Sequence, residues 1–122
     1  MSRIIAGAAG GTPLTSVPGN LTRPTTDRVK EALFSRLDAF NVIAGARVLD
    51  LYAGSGSLGV ESGSRGAGSV DLVEFDAKAS AVCQKNADLV NTVAARKVVS
   101  VHRSKVESFL DRTTGPEVAR NG

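Results

Sequence analysis

Asp50-Leu51-Tyr52-Ala53-Gly54-Ser55-Gly56-Ser57-Leu58-Gly59 is the stretch that decides the fold. It follows Ala46-Arg47-Val48-Leu49, so Ala46–Tyr52 forms a short apolar run that ends in a glycine loop, as a buried parallel strand does. Leu58 onward suits a helix to Arg65, and Gly66 and Gly68 stop it. Strand, glycine loop and helix in that order satisfy G-x-G-x-x-G through Gly54, Gly56 and Gly59. By itself that pattern suggests a dinucleotide site, where glycines let backbone approach a pyrophosphate.

Asp50 argues for a different ligand. It lies at the carboxyl end of the strand, four residues before the first glycine. A carboxylate there repels a pyrophosphate but attracts a cation. S-adenosylmethionine carries an ammonium and a sulfonium and no phosphate, so it is the better match. Glu74 ends the next strand, 18 residues after Gly56, where a carboxylate can accept both hydroxyls of a ribose. That second acid supports a nucleoside cofactor of either type.

Outward from the loop, strands alternate with helices. Ser69–Phe75 reads as a second strand, Ala77–Val93 as a helix, Val98–His102 as a third strand, and Lys105–Leu110 opens another helix. On the long helix Val82, Asn86, Leu89, Val90 and Val93 lie broadly on one face. Such alternation implies right-handed crossovers and a parallel α/β sheet. Upstream, Thr25 or Thr26 can cap a helix over 26–39, with Asp27 in its first turn. Val29, Leu33 and Leu37 recur every four residues there and predict the buried stripe. Before it, Arg3–Ala6 and Leu14–Val17 flank the Gly10-Gly11-Thr12-Pro13 turn signal and can pair as a hairpin.

Composition narrows the class. The 122 residues allow one ordinary domain, and 42% apolar with 22% charged residues is normal for a globular protein. No apolar run approaches the roughly 18–20 residues of a membrane span, and glycines and Pro13 interrupt the N-terminus early. A cytoplasmic protein without a membrane partner is the expectation. One cysteine, Cys83, and one histidine, His102, leave no internal disulfide and no expected metal centre. Cys83 reads as a small core residue and His102 as a surface residue near a strand end. Asn86 is either a buried amide bonded to backbone or part of the site. Tyr52 either stacks on a substrate base or packs beside the loop. The net charge is +3, and all of the excess lies in residues 1–47, which hold six Lys/Arg against three acids. A polyanion would be attracted there.

Two motifs carry a resemblance to a known family. One is Arg23-Pro-Thr-Thr-Asp-Arg-Val-Lys-Glu-Ala-Leu-Phe34; the other is Val48-Leu-Asp-Leu-Tyr-Ala-Gly-Ser-Gly-Ser-Leu-Gly-Val-Glu61, followed by Ser64-Arg-Gly-Ala67. With the opening Arg3-Ile-Ile-Ala-Gly7, they resemble the bacterial 16S rRNA guanine-N2 methyltransferases of the RsmD type over residues 3 to 110. The resemblance implies a Rossmann-like methyltransferase fold with an N-terminal hairpin extension, S-adenosylmethionine as cofactor, and 16S rRNA or the small ribosomal subunit as partner. It divides the chain into a hairpin extension (1–24), a partial methyltransferase domain (25–114) with strands in the order 3-2-1, and a tail (115–122). It gives the methionine part of the cofactor to Asp50, Gly54 and Gly56, with Tyr52, Ala53 and Ser55 in the same loop. Glu74 takes the ribose, and Arg3, Arg23 and Arg28 are candidates for RNA phosphates.

The sequence also departs from the family. Its prolines are Pro13, Pro18, Pro24 and Pro116, so the Asp/Asn-Pro-Pro-aromatic motif that aims the guanine amine is absent. Ser62 and Gly63 stand where the family has apolar residues, which predicts a weakened helix and a lost side chain in the core. Ser104 replaces an acid that many methyltransferases place beside the adenine amine. The expectation is a chain ending after the third strand, with the first strand's edge open to self-association. An enzyme by descent is one reading. A fragment that binds the cofactor or RNA without turnover is the alternative.

Overall fold

The computed structural model describes residues 2–18 and 26–113. Three strands, β1 (Arg47–Asp50), β2 (Ser69–Val73) and β3 (Val99–His102), form one parallel sheet in the order β1-β2-β3. Helices α1 (Asp27–Ala39), α2 (Ser57–Ser64), α3 (Ala77–Ala94) and α4 (Val106–Thr113) alternate with them. This is the expected Rossmann-like arrangement, and β2 is its centre. Val48 stands opposite Val70, which in turn stands opposite Val99. Val70, Leu72 and Val99 are buried beneath α2 and α3, with Val60, Cys83, Ala87 and Val90, and Val73 is buried on the opposite face of β2. Among the described residues, the other edge of β1 carries no strand.

β1 and β2 are shorter than their apolar runs because the chain turns at their carboxyl ends. Tyr52 N–H donates to Asp50 Oδ1 at 3.0 Å, which bends the backbone out of β1 immediately after Asp50. α3 starts where Asp76 caps the Ala79 amide at 2.9 Å. α1 starts at Thr26, whose hydroxyl accepts from Val29 N–H. The other capping candidate, Thr25, lies outside the described residues, as do the tail and Arg23.

The structure corrects three expectations. On α1 the buried residues are Lys30 and Phe34, while Val29 and Leu33 are 57% and 43% exposed. The inner face of the helix runs 30-34-37 and keeps only Leu37 of the 29-33-37 stripe; a lysine occupies the place where pattern reading seeks an apolar residue, and it is buried because Glu61 lies 3.5 Å away. The second correction concerns Gly63, where the sequence predicts a void. A Cβ there would stand 3.1 Å from Val99 and 3.2 Å from Val90. Helix α2 lies too close to β3 and α3 for a large side chain, so the neighbours already fill the space. Third, His102 is not a free surface residue: Nε2 lies 2.9 Å from Asp71 Oδ1, and the ring packs 5.0 Å from that of Phe109.

The N-terminal segment docks on this unit. Arg3 bridges Pro13 in antiparallel fashion, with Ile4 N–H to Thr12 O (2.9 Å), Gly11 N–H to Ile4 O (2.7 Å) and Leu14 N–H to Ser2 O (2.9 Å). The pairing joins residues 2–4 to 11–14, a shorter and shifted hairpin relative to the expected flanks. Ile5 and Ala6 turn their amides to Glu61 instead, at 2.8 and 3.1 Å. Ile4 and Leu14 are buried in the main core.

Candidate functional site

The carboxyl ends of β1 and β2 meet at the glycine loop, which the structure places between two acids. Asp50 closes β1 and Glu74 follows β2 directly. Glu74 Oε1 accepts from Gly54 N–H at 2.8 Å and Oε2 accepts from Asp76 N–H at 2.9 Å. Each oxygen keeps acceptor capacity for a ligand, and the two backbone bonds fix the carboxylate's direction. Ala53 N–H bonds to Val73 O at 3.0 Å, and Gly56 N–H closes the turn on Ala53 O at 2.8 Å.

The glycines serve different ends. Gly54 has φ +58, and a Cβ there would meet nothing within 4 Å. It is glycine for its conformation, and the space above it is open. Gly56, at φ +81, has Cys83 Sγ 2.8 Å from where its Cβ would be, so the loop sits directly on α3. Burial, with the nearby charges of Glu74 and Asp50, pushes the Cys83 thiol up to about 12. The thiol stays neutral at ordinary pH, as befits a core residue under two carboxylates.

Two clefts meet at Leu51 and Tyr52. One, of about 210 Å³, runs past Glu74 and Phe75 to Ser104, Lys105 and Glu107. The other, of about 390 Å³, lies beside β1 and includes Asp50, Leu58 and Ser62. The two acids therefore flank the loop from different sides. Tyr52, 80% exposed, stands between the clefts and does not pack beside the loop.

Sequence reasoning missed Phe75, Lys105 and Glu107. Lys105 Nζ lies 5.5 Å from the centre of the Phe75 ring. Glu107 brings a carboxylate to the end of the cleft where Ser104 lacks one. The signal was present, since all three follow the carboxyl ends of β2 and β3, where open α/β sheets bind ligands.

Asn86 is fully buried and bonded to backbone: its Oδ1 accepts from Thr15 N–H, and its Nδ2 donates to Thr15 O and Ser55 O. Of the basic candidates, Arg28 is exposed on α1, and Arg3 is exposed with its Nε 3.9 Å from Asp27. Neither lines a cleft described above. Lys30 is withdrawn from the basic surface by burial. Among the described residues, no group of three or more His, Cys, Asp or Glu could hold a metal, and no helix is long and apolar enough to cross a membrane.

A parallel α/β sheet with a glycine loop between two acids at its carboxyl edge is a Rossmann-like arrangement of the kind methyltransferases have. The family model described as conserved hypothetical protein 95 matches residues 2–119, and the chain belongs to that family. It is 38% identical over 120 residues to the putative rRNA methyltransferase YlbH of Bacillus subtilis, covering 98% of this chain and 62% of that protein. It is 41% identical over 116 residues to ribosomal RNA small subunit methyltransferase D of Escherichia coli K12, covering 93% of this chain and 54% of that protein. A solved structure of the putative methyltransferase yhhF of Escherichia coli superposes with a TM-score of 0.71 at 40% identity, covering 88% of this chain and 55% of the other. The chain thus spans little more than half the length of these relatives.

Proposed function

We propose that this chain holds S-adenosylmethionine for methylation of the exocyclic N2 amine of a guanine in small-subunit 16S rRNA. The observation that carries the reading is the pair of carboxylates, Asp50 and Glu74, at the ends of adjacent strands around a loop with an open face. The donor set fits this cofactor: two acids suit an ammonium and a ribose, whereas a pyrophosphate in the same place would meet repulsion. The relatives named as rRNA methyltransferases supply the substrate class.

In this reading Asp50 and the amides of the glycine loop hold the methionine end, and Glu74, already oriented by two backbone donors, takes the ribose hydroxyls. Phe75 offers a flat apolar surface for the adenine, and Glu107 a carboxylate for its amine. Bound, the cofactor supplies an electrophilic methyl on sulfonium. Tyr52 presents an exposed ring beside the loop, where a base can stack. The sequence contains no Asp/Asn-Pro-Pro-aromatic motif to accept the hydrogens of the guanine amine. Arg3 and Arg28, with Arg23 outside the described residues, would contact phosphate.

Calorimetric titration with S-adenosylmethionine, beside Asp50→Ala and Glu74→Ala, tests the cofactor. Binding lost in both variants is expected. Binding indifferent to both, or NAD bound in its place, overturns the reading. Labelled methyl transfer to small subunits lacking the mark tests the substrate. Arg3→Ala and Arg28→Ala should each flatten the slope of log RNA affinity against log salt by roughly 0.7–0.9.

A further inference from the structure

Two fully buried polar side chains tie the N-terminal segment to the two residues that flank Gly56. Asn86, on α3, donates through Nδ2 to Ser55 O at 2.8 Å and to Thr15 O at 3.0 Å, and its Oδ1 accepts from Thr15 N–H at 2.9 Å. Lys30, on α1, donates through Nζ to Arg3 O at 2.6 Å and to Ser57 Oγ at 3.0 Å, with Glu61 Oε1 at 3.5 Å. One side chain grips the loop before the glycine and the other just after it. Each also holds backbone of the segment.

We propose that Asn86 and Lys30 are positioning residues through which docking of the N-terminal segment sets the conformation of the cofactor loop. An apolar residue would fill either buried position without the desolvation penalty that an amide or ammonium carries. The polar groups are satisfied only while segment and loop are both in place. If the segment lifts, the Asn86 amide keeps Ser55 O alone and loses both bonds to Thr15. Lys30 loses the Arg3 carbonyl. The loop is then held by side chains that are themselves short of partners.

The coupling is reciprocal by thermodynamic necessity: a ligand that orders the loop also seats the segment, and whatever seats the segment tightens the loop. The segment carries Arg3, whose side chain is exposed while its carbonyl accepts from Lys30. A polyanion bound by Arg3 therefore acts on a residue that Lys30 joins directly to Ser57. This inference rests on the cofactor reading for its ligand, although the tie between segment and loop exists without one.

The test uses the full chain. Thr15→Pro removes the amide that donates to Asn86 and touches neither Asp50 nor Glu74; Thr15→Ala keeps that amide and is the control. We expect Thr15→Pro to weaken S-adenosylmethionine binding roughly fivefold or more, and to speed hydrogen exchange at the amides of Gly54 to Ser57. Thr15→Ala should change neither. In an Asn86→Ala background Thr15→Pro should have no further effect, which a merely structural role would not produce.

Wild-type affinity and exchange in Thr15→Pro overturn the proposal, as does an effect of unchanged size in the Asn86→Ala background. If the wild type itself binds no S-adenosylmethionine, the cofactor reading falls. Exchange at Gly54 to Ser57 then decides the coupling alone: faster in Thr15→Pro supports it, and unchanged rates overturn it. Should Thr15→Pro fail to fold, Ser57→Ala cuts the Lys30 tie instead. Faster exchange at the Ile4 and Leu14 amides supports the coupling, and unchanged rates there overturn it.

Discussion

Helix α2 is held on two sides by opposite means. Toward the sheet and α3 it presents Gly59 and Gly63 and comes so close that a Cβ at Gly59 would collide with Leu72. Toward the N-terminal segment it presents Glu61 and Ser64, whose side chains bridge the two. Glu61 accepts from Ile5, Ala6 and Arg65 and pairs with Lys30. Ser64 accepts from Ala9 N–H and donates to Ala6 O. The dry face is held by shape and loses stability gradually when that shape is wrong. The polar face is held by mutual satisfaction, and removal of one member strands the rest. Two faces of a single short helix thus fail in different ways.

The largest effect should come from the polar face. Glu61→Ala leaves Lys30 buried beside an absent partner and frees two amides, and should cost about 3–5 kcal/mol in urea denaturation. A milder loss would mean that water enters behind the segment and replaces the carboxylate. On the dry face, Gly59→Ala should cost about 1–3 kcal/mol by overpacking. Leu72→Val in the same chain should return part of that loss, because the collision is with the Leu72 side chain. No such recovery would place the strain in the backbone.

Acid offers a second way to loosen the segment, through Asp27. Burial alone would raise the Asp27 carboxyl, but the Arg3 amide, the Ser2 hydroxyl and the charges of Lys30 and Arg3 outweigh it and hold the carboxyl below the usual 3.8. The ionised form is therefore the one that favours docking. Its contribution is complete above about pH 4 and is lost as pH falls through the lowered folded value. Asp27→Asn should flatten that acid limb in a plot of urea midpoint against pH, with the curves converging at low pH. The smallest effect belongs to α1's outer surface. Leu33→Ala, at a 43% exposed position, should lie within about 0.5 kcal/mol of the wild type. A larger loss would restore the 29-33-37 stripe as a buried face.

Much of the site was legible in the sequence because its parts are local. Asp50, the loop and Glu74 follow directly from a strand–loop–helix–strand order, and chain direction alone puts them on one edge of the sheet. Phe75 and Glu107 were legible by the same logic. The polar network was not. Lys30 and Glu61 lie 31 residues apart in the chain and each reads as a solvated charge, so burial of the pair emerges only when α1 and α2 meet. Gly63 likewise reads as a defect until Val90 and Val99 are seen to occupy the space.

The sequence by itself determined the parallel α/β order, the glycine loop with its two acids, and the family. These depend on residues near one another, whose spacing fixes which end of the sheet they share. Only the tertiary structure decided which face of α1 is buried, and that Asn86 and Lys30 join the N-terminal segment to the loop. Burial of a polar group depends on partners brought from distant parts of the chain. No local pattern records where those partners will be.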